Sequence, residues 1–88
     1  MRICILYGGV SKERKVSIAS GKSIMDALRK DEKIFGYDFD GNYNNLLSAI
    51  NDADLVFNAL HGGDGEDGTM QKFLTNNNIR FTGSNYNA

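Results

Sequence analysis

Four short apolar runs alternate with three segments whose apolar residues recur at helical spacing, and this alternation leaves few architectures open. The runs are Ile3 to Tyr7, Ile34 to Phe39, Leu55 to Leu60 and Ile79 to Thr82. After the first run, Ile18, Gly21, Met25 and Leu28 fall three or four apart, one stripe of a helix that Ile24 and Ala27 widen. Tyr43, Leu46, Leu47 and Ile50 repeat the spacing, and Met70, Phe73 and Leu74 mark a third helix that ends in an asparagine triplet. The order β-α-β-α-β-α-β predicts an α/β fold, a small three-layer parallel sheet of Rossmann-like or flavodoxin-like type with right-handed crossovers.

In open sheets of this kind a ligand sits outside the carboxyl ends of the strands. The stretches that follow the four runs are "GGVSKERKVS", "DFDGN", "HGGDGEDG" and "GSN", so glycines and polar groups gather at one edge. The chain has 88 residues, the size of one small domain that can bury a core with little stability to spare. A net charge of -1 and the lack of a dense basic run argue against nucleic acid as partner. The apolar stretches are too short to cross a bilayer, so no membrane role is expected. The single cysteine, Cys4, lies in the first apolar run, reads as a core residue, and suits a reducing, cytoplasmic setting.

The first turn is the most informative stretch. Adjacent glycines let a ligand approach the main chain, and a helix N-terminus brings unpaired N–H groups and partial positive charge. Glu13 either caps that helix or docks a ligand's ammonium group. Ser17 and Ser20 read as capping or helix-surface hydroxyls, and Lys12, Arg14 and Lys15 as solvated charges. The turn lacks the G-x-G-x-x-G of dinucleotide folds and the G-K-[ST] of a P-loop. Asp38 and Asp40 read as turn residues.

His61, the only histidine, directly follows the third run, which leaves core packing and function both open for it. Asp64, Glu66 and Asp67 do not have the spacing of an EF-hand, and no metal site is expected. Glu66 and Asp67 favour the positive start of the third helix. Tyr7, Tyr37 and Phe57 read as core or rim aromatics.

"GGVSKERKVSIASG", "NALHGGDGEDGTMQ" and "FTGSN" occur in that order, each at the end of a predicted strand. Together they closely resemble the N-terminal domain of D-alanine–D-alanine ligases, of the ATP-grasp superfamily. The resemblance covers essentially the whole chain, as a single N-terminal substrate-binding domain over residues 1–88, of the pre-ATP-grasp kind. It implies an enzyme that joins two D-alanines at the expense of ATP, through an acyl phosphate, for peptidoglycan synthesis.

The resemblance also implies roles for particular residues. Glu13 would bind the ammonium of the first D-alanine within a Glu–Ser–Tyr network. Val16 would touch the substrate methyl, and Ser17 would support the loop. His61 would lie beside the reacting carboxyl and phosphoryl groups, and Glu66 would hold the polar network at the domain boundary. The chain stops at Ala88, where the family's ATP-grasp domains would follow. The expectation is therefore a fragment, inactive alone, whose parent binds ATP and Mg2+ through those other domains and forms a homodimer. Two further readings stand beside it, a small nucleotide- or phosphate-binding Rossmann-like module and a non-catalytic interaction module.

Overall fold

The computed structural model describes residues 1–28, 33–63 and 68–83. Its strands are β1 (Ile3–Gly8), β2 (Ile34–Phe39), β3 (Leu55–Asn58) and β4 (Phe81–Gly83). Its helices are α1 (Arg14–Leu28), α2 (Tyr43–Ile50) and α3 (Thr69–Asn76). The strands form one parallel sheet in the order β2-β1-β3-β4. Ile3 pairs with Ile34 on one side and Leu55 on the other, and Val56 pairs with Phe81.

Alternation along β1 divides the molecule into three layers. Cys4 and Leu6 face α2 and α3, in a core with Phe39, Leu46, Ile50, Val56, Leu60, Met70 and Leu74. Tyr43 ties that layer together. Its ring meets Phe39 edge-on at 5.1 Å and tilts against Phe73 at 4.7 Å. The other face of β1 receives α1, and close approach there depends on two glycines. A Cβ at Gly21 would lie 2.7 Å from the Tyr7 ring, and one at Gly36 would meet the Met25 sulfur. No described helix is long and apolar enough to cross a membrane.

The element ends have local causes. Asn42 caps α2 by accepting from Asn45 N at 3.0 Å, and Asp40 accepts from Asn42 N at 2.9 Å, the turn expected of "DFDGN". At the end of α3, Asn78 takes a left-handed φ of 59°. Asn78 N then donates to Thr75 O at 3.0 Å and Ile79 N to Leu74 O at 2.9 Å. This is a Schellman stop, and asparagine tolerates the left-handed position it needs.

Three bounds differ from the sequence expectation by two residues or more. The first helix begins at Arg14 rather than near Ile18, because its most buried face carries Ser17 and Gly21, which a hydrophobic stripe does not register. Leu28, expected on that stripe, is exposed. β3 stops at Asn58 because its side chain turns inward to accept from Leu60 N at 3.1 Å. β4 starts at Phe81 because Asn78 and Ile79 are spent on the helix stop.

Gly21→Ala is expected to destabilise the fold by about 1–3 kcal/mol, the usual cost of overpacking a tight contact, read from denaturant midpoints. Burial pushes the Cys4 thiol up to about 12. The thiol therefore stays neutral in the folded chain and ionises only when unfolded between its ordinary value and that one, so it resists alkylation near pH 8–9 until denaturant is added. Its contribution to stability is complete below the unfolded value and declines as pH rises through that window.

Candidate functional site

Strand order makes the site. From β1 the chain passes to β2 on one side, then back across β1 to β3 on the other. The turns after β1 and β3 therefore meet at a topological switch point, the place where parallel sheets open a crevice. Ser17, fully buried on α1, joins the two. Its Oγ accepts from Gly8 N at 2.9 Å and donates to Ala59 O at 2.7 Å. Ser17 is thus neither a cap nor a surface hydroxyl, as the sequence suggested, but a buried bridge between strand ends.

A second serine repeats the link nearer the surface. Ser11 Oγ donates to His61 O at 2.7 Å and accepts from Glu13 N at 3.1 Å. Ser20, one helical turn beyond Ser17, places its Oγ 3.1 Å from His61 Nε2. The half-buried His61 is therefore held through both its backbone and its ring.

Glu13 directly precedes α1, and its backbone carbonyl accepts from Ser17 N at 3.0 Å. Its carboxylate lies over the backbone of Gly62, where an added Cβ would come 3.2 Å from Oε2. Among the described residues the carboxylate makes no hydrogen bond or ion pair. An anion at the positive end of a helix, without a partner among the described residues, suits a cationic ligand. Val16 is exposed one turn further along α1. Glu66, the remaining candidate from the sequence, lies outside the described residues, as do Asp64 and Asp67.

One important pair was not anticipated. Arg14, expected to be solvated, grips Asp38 with both guanidinium nitrogens, at 2.8 and 2.7 Å. Asp38, expected in a turn, is the penultimate residue of β2. The pair holds the Arg14 guanidinium further above its already high value, chiefly through the hydrogen bond to Asp38. Lys12 and Lys15 are exposed, as expected. Tyr7, Tyr37 and Phe57 are half-buried rim residues.

Two hollows flank His61. One, between Val10, Ser11, Phe39, Leu60 and His61, measures about 10 Å³, room for a single water. The other is a groove of about 220 Å³ between α1 and β3, lined by Ser20, Ile24, Phe57 and His61 among others. Glu13 and Val16 line neither hollow. Among the described residues there is no cluster of three or more groups suited to hold a metal ion.

A family model described as the D-ala D-ala ligase N-terminus matches residues 37–84. The D-alanine–D-alanine ligase of Halalkalibacterium halodurans is 46% identical over 85 residues, which cover 96% of this chain and 28% of that protein. The crystal structure of D-alanine–D-alanine ligase from Bacillus anthracis is similar with a TM-score of 0.81 at 38% identity, over 98% of this chain and 29% of that one. Its complex with ATP gives a TM-score of 0.80 at 35% identity, over 92% of this chain and 27% of that one. The chain spans less than a third of the length of the relatives it matches.

Ser17→Ala leaves a buried N–H and a buried carbonyl without their shared partner and is expected to cost about 1–3 kcal/mol in unfolding free energy. Comparing urea midpoints of the two proteins checks it.

Proposed function

The chain belongs to the family of D-alanine–D-alanine ligase N-terminal domains, and from that premise we propose that it supplies the first-substrate side of a ligase active site. In this reading the parent enzyme joins two D-alanines at the expense of ATP, by way of an acyl phosphate, for peptidoglycan synthesis in the cytoplasm. ATP and Mg2+ are held by the rest of the parent enzyme.

The observation that carries the reading is the Glu13 carboxylate, carried on a turn tethered through Ser11 yet without a protein partner among the described residues. A zwitterionic amino acid needs an anion for its ammonium, and a charge-assisted hydrogen bond is the strong way to provide one. Glu13 receives the ammonium of the first D-alanine. Val16, one turn along and exposed, lies against its methyl group. Ser17 keeps the turn seated by bonding Gly8 and Ala59.

His61 stands beside the substrate carboxyl, where a donor stabilises charge as that carboxyl is phosphorylated. Ser20 and Ser11 hold it in place. Glu66 contributes to the polar network at the boundary with the next domain, as the resemblance implies. Phosphorylating a carboxyl needs water excluded from the site. In this reading the chain alone is inactive, and turnover requires the remainder of the enzyme to cover the site. A homodimer completes the assembly.

In a full-length ligase carrying this domain, Glu13→Gln is expected to lower kcat/KM for D-alanine about 10–100-fold, the worth of one hydrogen bond to a charged group, with ATP affinity unchanged. Steady-state kinetics with each substrate varied in turn check it. An unchanged D-alanine dependence contradicts the assignment. Nucleotide binding by the chain that is lost when Gly8 or Gly9 is replaced by a bulky residue would favour the nucleotide module instead.

A further inference from the structure

We infer that Arg14 and Asp38 form a positioning clasp that sets the location of the Glu13 carboxylate. The inference rests on the proposed role of Glu13 and extends it to two residues outside the contact shell of the substrate.

The clasp joins α1 to β2 at the sheet edge where the site lies, well away from their packing contact at Gly36 and Met25. Arg14 opens α1 and is the immediate neighbour of Glu13. Asp38 lies near the end of β2, which pairs with β1 so that Tyr7 is opposite Asp38. The guanidinium is bidentate on the carboxylate, at 2.8 and 2.7 Å, and Nη1 also donates to Gly9 O at 3.2 Å. One side chain thus fixes both ends of the turn that carries Glu13, at Gly9 and at Arg14 itself.

Gly8 explains how the clasp can form. A Cβ there would collide with Asp38 Oδ1 and stand 2.8 Å from Arg14 Nη1, so the ion pair occupies the space that a side chain would need. Gly8 and Gly9 both have positive φ, 90° and 83°, which steers the chain sharply off the strand and beneath the guanidinium. The remaining tethers of the turn, Ser11 and Ser17, run to the β3 side. Apart from the Arg14–Asp38 pair, the described hydrogen bonds from the turn to β2 both end on one carbonyl, Phe39 O, from Gly9 N at 2.8 Å and from Arg14 Nη1 at 3.5 Å.

Global stability is a poor account of this pair. Its side chains are 41% and 45% exposed, and exposed ion pairs contribute little to folding. What bidentate geometry does add is direction, because the planar fork accepts a carboxylate in one orientation. A lysine keeps the charge and loses that orientation.

The test uses a full-length ligase carrying this domain, with Arg14→Lys, Asp38→Asn, their double variant and Glu13→Gln measured together. The clasp predicts that Arg14→Lys and Asp38→Asn each raise the first-site KM for D-alanine about tenfold. Melting temperature and saturated kcat stay close to the parent's. The double variant costs no more than either single one, since both remove the same contact. A first-site KM unmoved by Arg14→Lys and Asp38→Asn, while Glu13→Gln raises it, overturns the clasp and leaves the role of Glu13 intact. A fall in melting temperature and kcat together with the KM change makes the pair merely structural. If Glu13→Gln itself has no effect, the functional reading fails and takes the clasp with it.

Discussion

The hydroxyl of Ser17 is the contact on which the arrangement of the site depends. It lies fully buried between β1 and β3, accepting from one strand end and donating to the other. Parallel strands joined by crossovers leave their last backbone groups without ladder partners where the chain turns away. At Gly8 and Ala59 those groups are out of reach of water. A single side chain able to donate and accept satisfies both, and its place on α1 seats the helix at the same time. The bare α-carbon of Gly21, one turn on, lets the helix settle against Tyr7.

The charges follow from that placement. Once α1 is seated, its N-terminus lies at the switch point, with Glu13 just before it and Arg14 just inside it. The two adjacent charges have opposite fates. Arg14 turns toward β2 and is satisfied by Asp38, while Glu13 turns toward Gly62 on the β3 side, its carboxylate without a partner among the described residues. The partial positive charge of the helix end supports the anion there without neutralising it. Ser11 completes the arrangement by binding the two turns to one another, through Glu13 N and His61 O.

Much of this was legible in the sequence where a local pattern decides the outcome. β2 and α2 have the bounds that periodicity predicts, since both are short, regular and closed by turn residues. The gathering of glycines and polar groups at the strand ends was legible because topology alone dictates it. The start of α1 was not, because its buried face is made of a serine and a glycine rather than apolar side chains. Nor was the Arg14–Asp38 pair, whose partners stand 24 residues apart and meet only because β2 adds beside β1. A signal did exist: an aspartate near the end of one strand and an arginine opening the helix after its neighbour face the same crevice. The family resemblance singled out Glu13, Ser17 and His61, but what Ser17 touches required the structure.

The central claim is that Glu13 is the ammonium receptor for the first D-alanine. The most direct measurement is a crystal structure of a full-length ligase carrying this domain, with D-alanine bound. The account predicts the substrate ammonium at about 2.8 Å from a Glu13 carboxylate oxygen, the length of a charge-assisted hydrogen bond, with the methyl group toward Val16. An ammonium held by other groups, with Glu13 turned to solvent, would contradict it.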